Sequence, residues 1–254
     1  MFFPVTRRYK DYILKPFQRD KFTAVNNVDL KIESGDRVAF LGINGAGKTT
    51  LLKLTGGLLY PSKGNILVNG FNTVSQNLEA RTHVGFVLNE ERSFYWRLNA
   101  VQNLEFFGAL DNLHGRALDR RIEELLVLVG LEKAAHKRVA SYSSGMKQRL
   151  AIARGLLGEP GILILDEPTR TLDPEAVDDV KSLISARIHR HSLRTLLIAT
   201  HRFDEAEELC NKVCIMKNGR MISFKSLADI KAGFGSVSNY YHHYISGENV
   251  ITEY

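Results

Sequence analysis

Two cysteines in 254 residues, Cys210 and Cys214, are too few for a disulfide framework or a structural zinc site. They read as a buried thiol pair in a reducing, cytoplasmic setting. Long apolar runs are missing as well. The stretch 125–129 is among the longest, far below the about 20 residues that a bilayer-spanning helix needs. The start, Met1-Phe2-Phe3-Pro4, has neither a long apolar core nor a small-residue cleavage site, so no secretory signal is expected. No internal repeat, low-complexity tract or sustained heptad array is present, which excludes solenoids and long coiled coils. Tryptophan occurs once, at Trp96.

What remains is ordinary for a globular protein: 44% hydrophobic and 24% charged residues, in a chain long enough to bury a real core. The formal net charge of +6 suits nucleic acid, an anionic membrane leaflet or a plainly solvated surface. Basic residues scatter over Arg7, Arg8, Lys10, Arg19 and Lys21, and again over Arg116, Arg120, Arg121, Arg187, Arg190 and Arg194. Charge alone does not choose among these.

Short β-branched runs alternate with helical stretches, the pattern of a parallel sheet covered by helices. Strands are expected at 37–41, 66–68, 84–88, 162–165, 195–199, 212–216 and 220–224. Asn218-Gly219 and Asn69-Gly70 signal tight turns, because both positions tolerate positive φ. Between residues 90 and 160 the strand signal gives way to helical periodicity, with helices expected at 98–110, 118–129 and 144–157. The fold class is therefore an α/β core, about 1–89 and 161–224, with an inserted helical subdomain, about 90–160. The tail from about 225 to 254, rich in Ser, Gly and Tyr, yields no assignment.

Gly42-Ile43-Asn44-Gly45-Ala46-Gly47-Lys48-Thr49 fits G-x-x-x-x-G-K-[ST] at every position, between an expected strand and a helix. The glycines let consecutive backbone N–H groups turn inward on phosphate oxygens, and the helix N-terminus adds about half a positive charge. Lys48 is placed to neutralise β- and γ-phosphates and Thr49 to ligate Mg²⁺. Gly42, Asn44, Gly45, Ala46, Gly47, Lys48, Thr49 and Thr50 are the expected nucleotide contacts. The apolar strand 162–165 ends in Asp166-Glu167, which suits Asp166 to hold Mg²⁺ through water and Glu167 to activate the attacking water. Such general-base help accelerates a reaction by about 10²–10⁴.

A Ser-x-Gly turn, Tyr142-Ser143-Ser144-Gly145, opens a basic helix just upstream of that strand. Taken with the phosphate loop and the Asp-Glu strand end, this order resembles the ATP-binding cassette (ABC) family, the motor subunits of membrane transporters. The family signature is usually Leu-Ser-Gly-Gly-Gln; here Tyr142, Ser144 and Met146 depart from it, while Ser143 and Gly145 match. The resemblance runs from about Tyr9 to about Phe224. It implies a P-loop NTPase core that hydrolyses ATP with Mg²⁺. It also implies a head-to-tail dimer in which Ser143 and Gly145 press on the partner's γ-phosphate. Asp173, in Thr171-Leu172-Asp173, matches the loop that crosses the dimer interface, and His201 the switch histidine that contacts the γ-phosphate.

The resemblance places an adenine-stacking aromatic upstream of the phosphate loop, at Tyr9 or Tyr12. Asn89 stands where the family has a glutamine, with Glu90 and Glu91 beside it. Relaxed signatures of this kind occur in exporters whose permease is a separate chain. The implied protein is thus a peripheral subunit on the cytoplasmic face, bound to a permease and to a second cassette, with no nucleic acid expected as a ligand. Phe94, Tyr95 and Trp96 are three consecutive aromatics at the start of the helical region. They cannot all face one core, so at least one is expected at the surface, where the family docks its permease.

Overall fold

A parallel strand covered on both faces needs apolar side chains pointing both ways, and the 37–41 segment supplies them. In the computed structural model, which describes residues 2–4, 21–88, 94–188 and 195–246, Val38, Ala39, Phe40 and Leu41 are all buried. With Phe2–Pro4 as β1 and Lys21–Thr23 as β2, this strand is β3 (Arg37–Leu41). It is followed by β4 (Leu67–Val68), β5 (Phe71–Asn72), β6 (Val84–Val87), β7 (Ile162–Asp166), β8 (Thr195–Thr200), β9 (Lys212–Lys217) and β10 (Arg220–Ser226).

The central sheet has the order β10-β9-β3-β8-β7-β6. Its β6, β7, β8, β3 and β9 strands run parallel, and β10 closes one edge antiparallel to β9. Asn218 and Gly219 make the β9–β10 turn with φ of 51° and 77°, and Asn69 and Gly70 the β4–β5 turn with 49° and 87°. Both turns are as expected from the sequence.

The sheet separates two apolar layers. Ala39, Leu41, Leu163, Leu165 and Ile198 face one way and pack with Leu104, Ile122, Leu150 and Tyr240. Val38, Phe40, Ile164, Leu197 and Cys214 face the other, against Leu51 and Leu52 of the helix Lys48–Thr55. Each fully buried side chain of this size is worth about 1.5–3 kcal/mol. Among the described residues between 94 and 160 no strand forms. The α-helices there are Ala100–Leu110, Gly115–Leu128 and Ser144–Gly155. The first starts at a capping box, in which Asn99 accepts from Gln102 N and the Gln102 side chain accepts from Asn99 N.

Beyond residue 225 the chain forms two helices, Leu227–Phe234 and Val237–Ser246, which the sequence had left unassigned. The tail returns to the core. Tyr240 is fully buried with its hydroxyl 2.6 Å from Ser223 Oγ, and Tyr241 packs on Phe203 with ring centroids 5.2 Å apart. Cys210 and Cys214 are both buried free thiols, as expected. Burial pushes the Cys210 thiol far above its usual range and raises Cys214 to about 12.

Candidate functional site

Parallel strands place their carboxyl ends on one edge of the sheet, where open α/β sheets bind ligands. Here Leu41 pairs with Thr200 and Asp166 with Ala199. The loop after β3, the Asp166-Glu167 end of β7 and His201 after β8 therefore meet.

The loop after β3 curls tightly into the helix Lys48–Thr55. Gly47 adopts φ of 100°, and a Cβ there would collide with the Ala24 carbonyl oxygen, so only glycine fits. Lys48 is buried, its ammonium donating to the carbonyls of Gly42 at 2.6 Å and Ile43 at 3.3 Å. Desolvation lowers its pKa despite the opposing pull of Glu167 and Asp166. An anionic ligand would offset that cost.

Thr49 Oγ1 donates to Asp166 Oδ1 at 2.9 Å. Asp166 is also buried, and desolvation raises its pKa more than the Thr49 hydrogen bond lowers it. A hydroxyl and a carboxylate side by side form the all-oxygen donor set that hard Mg²⁺ takes, with the remaining positions left to water and phosphate.

Glu167 occupies the left-handed region with φ of 51°, and its N–H donates to Ala199 O at 2.8 Å. That turn aims the carboxylate back over the loop. Its Oε1 lies 3.9 Å from Lys48 Nζ and its Oε2 2.6 Å from His201 Nδ1. The histidine ring is about half exposed while Glu167 is mostly buried. A carboxylate held between a histidine and a lysine ammonium can orient a water against a phosphate bound to the loop.

Asn44, Gly45, Ala46, Gly47, Lys48, Thr49, Thr50, Asp166 and Glu167 line one cavity of about 300 Å³. The same cavity is lined by Arg170, which the sequence reading did not single out. Its guanidinium acts on Lys48 across the cavity, lowering the lysine pKa. The signal for it was its place inside the Asp166–Asp173 segment.

Ser143, Gly145 and Asp173 line a different cavity of about 170 Å³, which shares no residue with the first. Ser143 Oγ accepts from Met146 N at 3.2 Å, capping the helix Ser144–Gly155. Asp173 Oδ1 accepts from Ala176 N at 2.9 Å, capping the helix Pro174–Ser182. The two helix starts are packed together, since a Cβ at Gly145 would sit 2.9 Å from the Ala176 Cβ. Within one chain the Ser-x-Gly turn is thus brought to Asp173 and not to the phosphate loop. Tyr9, Tyr12, Asn89, Glu90 and Glu91 lie outside the described residues.

The family model described as "ABC transporter" matches residues 25–170, more than half of the chain. The chain belongs to the ABC transporter family. It is an ATP-binding subunit of such a transporter and an ATPase. Its ABC cassette fold is the one expected from the sequence. Over 217 residues it is 36% identical to the ABC transporter ATP-binding protein NatA of Bacillus subtilis (strain 168), covering 85% of each chain. It is 37% identical over 205 residues to the Nod factor export ATP-binding protein I of Neorhizobium galegae, covering 81% of this chain and 58% of that protein.

Among solved ABC structures it is similar to a dimeric ATP-binding cassette in a post-hydrolysis state bound to ADP and Pi. That match has a TM-score of 0.73 and 26% identity, and covers 83% of this chain and 94% of that one. Similar too is cbiO1 of Clostridium perfringens, part of the ABC transporter complex cbiONQ, with a TM-score of 0.75 and 29% identity. The coverage there is 95% of this chain and 93% of that one. Among the described residues of this ABC subunit, no helix is long and apolar enough to cross a membrane.

Proposed function

We propose that this ABC ATPase powers an exporter, as a head-to-tail dimer bound to a permease supplied by a separate chain at the cytoplasmic face of the membrane. The observation that carries the dimer is the separation of two cavities on one chain. The phosphate cavity holds the loop, Asp166 and Glu167, and the other holds Ser143, Gly145 and Asp173. Each is half of a site, and a second copy in the opposite orientation completes both. The similarity to a dimeric cassette bound to ADP and Pi supports the same arrangement, and the similarity to a Nod factor export protein supports export.

In this reading ATP enters with its phosphates on the backbone of Gly42–Thr49. Lys48 exchanges its two carbonyl contacts for phosphate oxygens, and Arg170 adds a second cation to the same cavity. Thr49 and Asp166 would hold Mg²⁺, which when bound neutralises phosphate charge. Glu167 orients and deprotonates the water, and His201 holds Glu167 and approaches the γ-phosphate. The partner's copies of Ser143 and Gly145 close over that phosphate. The loop and strand ends belong to the core (about 1–89 and 161–224), whereas Ser143 and Gly145 belong to the helical region (about 90–160). Closure of the dimer can therefore move one region against the other, and the permease converts that motion into transport.

The permease contact is read at the start of the helical region. Phe94 is buried, whereas Tyr95 and Trp96 are about half exposed. Tyr95 packs edge-on against the partly exposed Phe106 with centroids 4.7 Å apart. Exposed aromatics of this kind are common anchors of interfaces.

The test is co-expression with any membrane protein that a neighbouring gene encodes. Recovery of the two together from detergent, with ATP hydrolysis stimulated above that of the isolated chain, is the expected result. Failure to recover any membrane chain, together with a DNA gel shift at physiological salt, would overturn the transport reading.

A further inference from the structure

Glu205 has no solvent exposure. It lies on the helix Phe203–Leu209, which begins two residues after His201. Its Oε1 accepts from Thr169 Oγ1 at 3.1 Å, while its Oε2 has no hydrogen-bond partner. The other groups that act on it are the Thr200 hydroxyl and, more weakly, the charges of Arg202 and Glu167. Burial dominates and raises its pKa. Burying a carboxylate without a cationic partner is costly, so an apolar side chain would be the more stable occupant of a purely structural position. A buried polar group that is left partly unsatisfied calls for another reason.

The reason is in what Glu205 joins. Thr169 sits in the turn that carries Glu167, in which Arg170 N donates to Glu167 O at 3.2 Å and Leu172 N to Thr169 O at 3.3 Å. Thr200 ends β8 directly before His201, and its Oγ1 accepts from Arg202 N at 3.0 Å. Glu205 itself stands four residues after His201 on the helix Phe203–Leu209, so its bond to Thr169 joins the segment of His201 to the turn of Glu167, whose side chains touch at 2.6 Å. Glu167 also holds a left-handed backbone with φ of 51°, which is strained for a residue with a Cβ. Such a conformation persists only where its surroundings enforce it.

We propose that Glu205 is a positioning residue for ATP hydrolysis, its carboxylate tying the Thr169 turn to the helix that follows His201 so that Glu167 and His201 stay in contact. This rests on the reading of Glu167 as the water-activating group.

The test uses the full chain, with kcat, KM and the affinity for a fluorescent ATP analogue measured for Thr169→Val, Glu205→Ala and Glu205→Gln. Glu167→Gln is run beside them. Misplacing a reacting group by about an ångström can cost ~10²-fold, so Thr169→Val and Glu205→Ala should each lower kcat by at least ~5-fold, with nucleotide affinity held within about two-fold. Glu205→Gln should recover most of that loss, because its amide oxygen still accepts from Thr169. Thr169→Val exchanges a hydroxyl for a methyl of the same shape, so it decides the matter if Glu205→Ala does not fold. A smaller fall in kcat for Thr169→Val overturns the inference. So do equal losses of kcat and nucleotide affinity, or a Glu205→Gln chain as slow as Glu205→Ala. Wild-type hydrolysis by Glu167→Gln would instead remove the underlying reading. An inactive Glu167→Gln beside normal turnover in the other variants removes this inference alone.

Discussion

His201 Nδ1 lies 2.6 Å from Glu167 Oε2, so the residue after β8 directly engages the residue after β7. Neither strand predicts the other's position. The pairing exists because β7 and β8 are neighbours and end together, Asp166 opposite Ala199. The contact leaves Glu167 Oε1 facing Lys48, and the chemistry of the cavity follows from that triangle.

Replacing Glu167 by Gln keeps the shape and removes the carboxylate. Hydrolysis should fall by about 10² or more while ATP binding persists. Size-exclusion chromatography with ATP should then show a trapped dimer. A variant that turns over at the wild-type rate would exclude Glu167 as the base.

Ser143 lines a cavity separate from the phosphate loop of its own chain. Ser143→Arg should therefore leave ATP binding to the isolated chain intact and abolish dimer closure. Mixing it with Lys48→Ala chains should restore at most one working site per heterodimer. Undiminished steady-state turnover in Ser143→Arg would show that hydrolysis is completed within one subunit.

Arg170 shares the phosphate cavity and is exposed there. Arg170→Ala should weaken ATP binding about 10-fold, the scale of one charge-assisted hydrogen bond, and leave ADP binding nearly unchanged if it meets the γ-phosphate. Fluorescent analogues of both nucleotides distinguish the outcomes. Equal weakening for ATP and ADP would place Arg170 away from the γ-phosphate.

Trp96 is the single tryptophan and is about half exposed, with the Lys147 ammonium 5.2 Å from its ring centre. Assembly with the permease should shift its emission to the blue as water leaves the ring. Trp96→Ala should lower permease-stimulated hydrolysis more than basal hydrolysis. Unmoved emission, with both rates falling together, would mean that the docking surface lies elsewhere.

Cys210 and Cys214 are buried and keep their protons to higher pH than in the unfolded chain. Between their ordinary range near pH 9 and about 12, the unfolded state releases thiol protons that the folded state retains. Stability should therefore fall as pH rises through that window, with no such contribution below it. Cys214→Ser, which does not ionise there, should flatten the alkaline fall in melting temperature. In the native protein at neutral pH neither thiol should react quickly with an aromatic disulfide reagent.

Much of this molecule was legible in its residues because the decisive signals are local. The phosphate loop requires glycine at Gly47, whose φ of 100° strains any residue with a side chain. The short apolar run of β3 is read from its own residues, and the Asn218-Gly219 turn needs only its own backbone preferences. The helix Val237–Ser246 was not legible. Its core-facing stripe, Val237, Tyr240, Tyr241, Tyr244 and Ile245, is built mostly of tyrosines, whose hydroxyls disguise it, and it gains its order by burying Tyr240 and Tyr241 on Ser223 and Phe203, which lie far away in the chain.

The residues of the site were named from sequence order, but their relations were not. The phosphate loop by itself determined that the chain binds a nucleotide, and the order of loop, Ser-x-Gly turn and Asp-Glu strand end carried the resemblance to an ATP-hydrolysing cassette. Tertiary structure alone decided that Lys48 reaches Glu167, that Ser143 is kept from its own phosphate loop and that Arg170 enters the cavity. It also buried Glu205 against Thr169. These depend on the lateral order of strands and on which helix starts pack together. That order is set by burying two apolar layers at once, a property of the whole sheet that no single segment encodes.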